Sequence, residues 1–252
     1  ITLGTRTFAG GVPHTLKVWT SLPNTVSDSG VFNDTLTTTL KPALSGTFTV
    51  GGATPNYPNL AAVAADLNAN GICGPVVFNV RTGTYTEQFT LSNIAGASST
   101  NTITFQSESG NKADVILTYG PTSTANNWTV NMSGADWVTF KNMTMKSTGT
   151  TYSNVFAWGG GANDNTIQNC ALSNPIMAST STYNAIVYSP SSIDNNNQFI
   201  GNTFDGGAMA FYWYGSTYTP VTSCKSNTVW DGNTFTNQYY MCLYTYYQNT
   251  PI

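Results

Sequence analysis

Four stretches of the chain repeat one short phrase. Residues 165–172 read NTIQNCAL, 197–204 NQFIGNTF and 227–235 NTVWDGNTF, and WVTFKNMTM at 137–145 is a fourth copy. Each is an apolar–polar alternation that runs into an asparagine, which is the pattern of a half-buried strand entering a turn. Aligning Asn142, Asn169, Asn202 and Asn233 gives spacings of 27, 33 and 31 residues. A second strand type falls between the copies: WTVNM (128–132), NVFAW (154–158), NAIVY (184–188), AMAFYWY (208–214) and YYMCLYTYY (239–247). A repeat of about thirty residues with no helix in it signals a solenoid. Two or three short strands fit in each period, and a parallel β-helix is the architecture this predicts. Equivalent side chains of successive coils then form ladders, and the recurring asparagines are expected to bond one another as a structural ladder. The text between copies varies because loops tolerate insertion. A β-sandwich or propeller is the alternative. It would need Asn-Gly or Asp-Gly hairpin turns, of which WDGN and FDGG are the few examples.

The first part of the chain is different. HTLKVWTS (14–21) and DTLTTTL (34–40) alternate like strands, and KPALSG (41–46) reads as a linker. Two strands do not make a stable domain. Residues 1–43 are therefore either the end of an Ig-like module or a ribbon that pairs with something else. Residues 44–252 form the solenoid. Its one helix is predicted over about 59–70, with Asn59 as N-cap, Leu60, Val63, Ala64 and Leu67 on one face and Gly71 closing it. Laid across the first coil, that helix would cover an apolar end and open strand edges. Residues 74–91 read as two strands around a Thr-Gly turn. The chain opens on ITLGTRTF and stops in an aromatic strand, so the solenoid is expected to continue past residue 252.

Only 8 % of residues are charged and the net charge is −3, against about 25 % charged in ordinary soluble domains. Phosphate binding needs clustered cations, so nucleic acid is not an expected partner. No apolar run reaches the roughly 20 residues that span a bilayer, so membrane insertion is not expected. Cys73, Cys170, Cys224 and Cys242 show no CxxC spacing and His14 is the one histidine, so neither a metal nor a cofactor is expected. Pairing among the four cysteines stays open.

Two groups of residues could carry chemistry. From residue 100 onward there are eleven charged residues and no arginine. Asp205 and Asp231 lie near the repeated phrase, and Asp164, in the preceding coil, is the third candidate. These three are the catalytic candidates if the chain is an enzyme, since glycoside hydrolysis uses paired carboxylates. Turn chemistry beside Asn and Gly is the competing account of them. The aromatic strands are the second group. Alternation places Tyr212 and Tyr214 on one face and Phe211 and Trp213 on the other, so Tyr212 and Tyr214 are the candidate ligand-binding residues, stacking on sugar rings.

The stretch 47–119, from TFTVGGATPNYPNLAAVAADLNANG to NTITFQSESGNKADVILTY, resembles the start of a right-handed parallel β-helix domain found in large secreted and cell-surface proteins of Bacteroidota, often substrates of type IX secretion. Residues 13–41 resemble the closing strands of the Ig-like (CARDB-type) modules beside such domains. The resemblance implies an all-β fold: a right-handed parallel β-helix with an N-terminal capping helix, preceded by a partial Ig-like segment. In that setting NDTL (33–36) is similar to an O-glycosylation site centred on Thr35. The chain also distantly resembles pectin methylesterases through the G-x-Y-x-E phrase of Gly83, Tyr85 and Glu87. That family's catalytic Gln, Asp and Arg phrases have no match here, so this resemblance implies a β-helix entry without the chemistry. The expected function is a non-catalytic section of an extracellular or cell-surface protein, acting in adhesion or as scaffold, with polysaccharide or neighbouring copies of itself as partners. The alternatives are a polysaccharide-active β-helix enzyme and a subunit of a self-assembling extracellular fibre.

Overall fold

The computed structural model describes residues 7–8, 10–19, 35–190, 193–217 and 219–249. Strands β1 (His14–Trp19) and β2 (Thr35–Leu40) pair antiparallel with each other, His14 opposite Leu40 and Trp19 opposite Thr35. The loop expected between them lies outside the described residues. β3 (Leu44–Val50) then enters the solenoid, followed by α1 (Leu60–Asn70).

The coils follow in order. The first holds β4 (Ile72–Val80), β5 (Gly83–Thr86) and β6 (Phe89–Ser92). The second holds β7 (Ile103–Ser107), β8 (Val115–Tyr119) and β9 (Val130–Ser133), and the third β10 (Val138–Lys141), β11 (Thr144–Ser147) and β12 (Phe156–Gly159). Then come β13 (Thr166–Gln168), β14 (Ala171–Ser173) and β15 (Ala185–Ser189), and after them β16 (Gln198–Ile200), β17 (Thr203–Asp205) and β18 (Met209–Tyr214). The last described turn has β19 (Lys225–Ser226), β20 (Val229–Asp231), β21 (Thr234–Thr236), β22 (Met241–Tyr246) and β23 (Gln248–Asn249). Every strand from β3 to β22 except β19 pairs parallel with its counterpart one coil away, giving one seven-stranded and two six-stranded sheets. This is the expected parallel β-helix, of about seven turns. Residues 74–91 hold parts of three strands where two were expected, because the Thr-Gly turn and the corner at 87–88 both break the run.

Alternation along each strand fills the interior. On the first sheet, Phe48, Phe78, Phe105, Phe140, Ile167, Phe199 and Trp230 stand in register through seven rungs. The rings of Phe78, Phe105 and Phe140 stack at 5.1 and 4.9 Å between centroids. Such stacked aromatic rungs add about 0.5–1.5 kcal/mol per pair beyond the area they bury.

The helix forms where the sequence places it. Asn59 Oδ1 accepts the Ala62 N–H at 2.9 Å, and Gly71 closes the helix at φ 64°. A Cβ on Gly71 would lie 2.4 Å from the Ala95 carbonyl oxygen, so the position requires glycine. Leu60, Val63, Ala64 and Leu67 are buried against the first coil. Asp66 lies on the same side and is held by Lys41, Tyr57 and Asn70. Burial works to raise its carboxyl, but those three donors outweigh it and keep Asp66 below the usual carboxylate range.

The four recurring asparagines do not form the single ladder expected from their alignment. Strand register places Asn142, Asn169, Gly201 and Gly232 in one column, and Met143, Cys170, Asn202 and Asn233 in the next. All four residues of the first column have left-handed φ between 53° and 65°. Only glycine and asparagine take that conformation readily, and the corner needs it to turn. The second column points inward. Asn202 is 1 % exposed; its Oδ1 accepts Cys170 N–H at 2.8 Å and its Nδ2 donates to the Ile167 carbonyl at 2.8 Å. Asn233 repeats this one coil on, accepting Asn202 N–H and donating to Phe199 O. Asn142 and Asn169 are thus corner formers, and Asn202 and Asn233 are interior bonding groups.

Candidate functional site

The outer face of the third sheet carries a tyrosine array. One column reads Thr90, Asn131, Ala157, Tyr188, Tyr212 and Tyr244. Beside it Tyr214 pairs with Tyr246. Phe211 and Trp213, the alternating partners of Tyr212 and Tyr214, are fully buried in the core, so the expected division of faces holds. The rings are nearly parallel: Tyr188 to Tyr212 is 5.5 Å between centroids, Tyr212 to Tyr244 5.2 Å, Tyr214 to Tyr246 5.2 Å and Tyr212 to Tyr214 5.7 Å. Tyr247 closes one side edge-on to Tyr214 and Tyr246. Carbon planes in contact sit about 3.5–4.0 Å apart. Centroid separations of 5.2–5.7 Å between parallel rings therefore mean offset stacking, and part of each face stays outside the overlap. Burial and the adjacent Tyr244 raise the Tyr212 hydroxyl above the ordinary phenol range.

The column narrows above Tyr188. Ala157 occupies the next rung, and its small side chain leaves Tyr188 beside a cavity of about 130 Å³ lined also by Trp128, Tyr183, Asn127 and Asn154. The two asparagines bond each other there, Asn127 Nδ2 donating to Asn154 Oδ1 at 2.6 Å. The site can offer aromatic surface and hydroxyl groups without charge. That chemistry suits the C–H faces and hydroxyls of sugars.

The three aspartates are not brought together. Asp164 has φ 58° at the corner before β13, and its Oδ1 accepts Asn196 Nδ2 at 3.0 Å. Asp205 ends β17 and accepts Thr236 Oγ1 and Asn237 Nδ2 at 2.8 and 2.7 Å. Asp231 ends β20, exposed, in the column of Lys141, Gln168 and Ile200. Each belongs to a different column of the solenoid, and turn and ladder bonding accounts for Asp164 and Asp205. Among the described residues no group of three or more His, Cys, Asp or Glu gathers in metal-binding geometry.

The corner carrying Asp164 holds an amide network that the repeated phrase only hinted at. Asn165 accepts Val138 N–H at 2.8 Å, and Asn197 accepts Asn165 N–H at 3.1 Å. Asp136, Asn163 and Asn195 form a further ladder beside it. The signal was visible in NDN (163–165) and NNN (195–197), triplets of Asn and Asp one coil apart.

Sequence reasoning missed a buried ion pair. Lys225 and Asp194 are both fully buried, with Nζ to Oδ2 at 2.6 Å. Ser189 Oγ lies 2.6 Å from Nζ and donates to Oδ2 at 2.8 Å. Oδ1 accepts Gly161 and Ala162 N–H at 3.2 and 3.1 Å, and the Trp213 ring lies 4.4 Å from Nζ. Burial holds the Lys225 ammonium below the ordinary lysine range, although Asp194 pulls the other way. Nothing in SCKSN (223–227) or SIDNN (192–196) distinguishes these residues from surface charges.

The G-x-Y-x-E phrase is structural. Glu87 accepts the Leu60 and Ala61 N–H groups at 2.9 Å each, capping the helix together with Asn59. Tyr85 donates to Arg81 O at 2.8 Å. All four cysteines are free thiols, Cys170 and Cys224 buried, Cys73 and Cys242 exposed. Thr35 is exposed on β2, whereas Asp34 of the expected glycosylation phrase lies outside the described residues. No helix among the described residues is long and apolar enough to cross a membrane.

No family model matches the chain, and no curated protein is significantly similar to it. Solved structures similar to it include a pectin methylesterase from Aspergillus niger, at 13 % identity over 83 % of this chain and 86 % of that one with TM-score 0.48. Another is a pectin methylesterase from Erwinia chrysanthemi, at 9 % identity over 73 % of this chain and 65 % of that one with TM-score 0.38.

Proposed function

We propose that the chain is a non-catalytic section of an extracellular surface protein that adheres to polysaccharide through the tyrosine array. The observation that carries this is the set of offset rings of Tyr188, Tyr212, Tyr214, Tyr244 and Tyr246 standing outward on three successive coils. Successive rungs of a parallel sheet are about 4.7–4.9 Å apart, near the length of one sugar unit, so a polymer lying along the axis meets a ring at each step. The surface-protein setting, with residues 1–43 as the end of an Ig-like module and export by type IX secretion, is part of this proposal.

The test uses the purified chain and a panel of neutral and uronic polysaccharides. Retention and release of new reducing or unsaturated ends are followed in the same tubes. Retention without cleavage, lost in Tyr212→Ala/Tyr214→Ala, is the expected result. Cleavage of any polymer would overturn the non-catalytic reading and return attention to Asp164, Asp205 and Asp231. A second reading, self-assembly into a fibre, is favoured by β1 and β2, where Leu16, Val18, Trp19, Leu36 and Leu40 are all exposed. Deleting residues 1–43 should then abolish assembly and leave the solenoid folded.

A further inference from the structure

The Lys225, Asp194 and Ser189 cluster is used by no adhesive role, and its geometry is more specific than an ion pair needs. Residues from three coils meet: Gly161 and Ala162 follow β12, Ser189 ends β15 with Asp194 after it one coil on, and Lys225 lies one coil beyond. The amine and the carboxyl are in contact at 2.6 Å, fully buried. The second carboxylate oxygen faces two backbone N–H donors at 3.2 and 3.1 Å. The hydroxyl of Ser189 touches both the nitrogen and the other oxygen.

We propose that Lys225 and Asp194 condense to an intramolecular amide, a covalent clasp between successive coils. Proton transfer from Nζ to Oδ2 gives an amine and a carboxylic acid. In a dry interior the neutral pair lies closer in energy to the ion pair than it does in water, because charge separation is no longer solvated. Burial already weakens the hold of Lys225 on its proton. The Nζ lone pair then attacks Cγ. Negative charge develops on Oδ1, where the Gly161 and Ala162 N–H groups point, the arrangement of an oxyanion hole. Ser189 Oγ accepts a proton from Nζ and delivers its own to Oδ2. The Cγ–Oδ2 bond breaks and one water leaves. A C–N bond has replaced a C–O bond, with no change of oxidation state and no co-reactant. Holding the two groups in contact replaces a bimolecular encounter, and the closed core excludes the water that would reverse the step.

The experiment is the intact mass of the purified full chain together with sequencing of its protease fragments. The expected mass is one water below that of the sequence, with a branched peptide joining the segment around Asp194 to that around Lys225. The Asp-Gly pairs at 205–206 and 231–232 can also lose water by cyclising, so the branched peptide is the deciding observation. Lys225→Arg keeps a buried cation that stays protonated and cannot attack, and should return to full mass. Ser189→Ala should slow the conversion about a hundredfold. Wild-type protein at full mass with no branched peptide after prolonged incubation overturns the proposal, whether or not the variants fold.

Discussion

The two asparagine columns make a prediction that separates residues the sequence presents as equivalent. Asn169 and Asn202 occupy the same place in their copies of the phrase. Asn202→Ala removes an amide that is 1 % exposed and strands the Cys170 N–H and the Ile167 carbonyl, each bonded to it at 2.8 Å. A buried backbone group left without a partner costs about 1–3 kcal/mol. Two of them, less the relief of no longer desolvating the amide itself, put the loss at about 2–4 kcal/mol. The side chain of Asn169 is exposed and makes no hydrogen bond among the described residues, and the residue sits at φ 53°. Asn169→Ala then costs about 1 kcal/mol for the left-handed backbone, and Asn169→Gly costs nothing measurable because glycine takes that conformation freely. Asn202→Gly strands the same two groups and costs at least as much as the alanine variant. Urea unfolding followed by tryptophan fluorescence reads these differences as midpoint shifts, provided the slope is unchanged. Equal costs for Asn169→Ala and Asn202→Ala, or a tolerated Asn202→Gly, would refute the register described here.

Three other outcomes are expected. Glu87→Gln weakens two charge-assisted bonds to the helix N-terminus and should lower stability by about 1–2 kcal/mol, seen as a lower midpoint in the same urea assay. Asp66 is held below its ordinary range by its donors, so its contribution is complete above the unfolded value of 3.8 and is lost as pH falls through the lower folded value; Asp66→Asn should flatten that acid limb of a stability–pH curve. Burial pushes the Cys170 thiol up to about 12, so iodoacetamide at neutral pH should label exposed Cys73 and Cys242 and spare Cys170 until denaturant is added.

Much of this architecture could be read from the residues because it is periodic. Alternation named the inward and outward faces of AMAFYWY correctly, since side-chain direction in a strand depends on parity alone. The helix was legible because Asn59 and Gly71 bracket one apolar face. The asparagine columns were misread because the corner spends two residues, and an alignment anchored on asparagine skips over Gly201 and Gly232, which do in their coils what Asn142 and Asn169 do in theirs. Only pairing between coils fixes that one-residue offset. The three aspartates could not be resolved either, because position within a coil, and not closeness to the phrase, decides which column a side chain joins. Lys225 and Asp194 carried no local signal. Their burial follows from the loops of three coils folding over one another, which no single strand pattern records.

Four of the interior asparagines reach in the same direction. Asn165, Asn197, Asn202 and Asn233 each accept an N–H from the coil before their own and donate to a carbonyl of that coil. At these corners each coil is completed by its successor, whereas along Asp136, Asn163 and Asn195, and at Asn127, the earlier coil accepts an N–H of the later one. Growth at these corners is vectorial: the rung formed last carries an open N–H and an open carbonyl there, and the next rung closes them after a chain closure of similar length. A partly formed molecule would present the same unfinished edge at every stage. In the folded state, amide exchange should deepen coil by coil away from the leading edge, a ratchet written in asparagine.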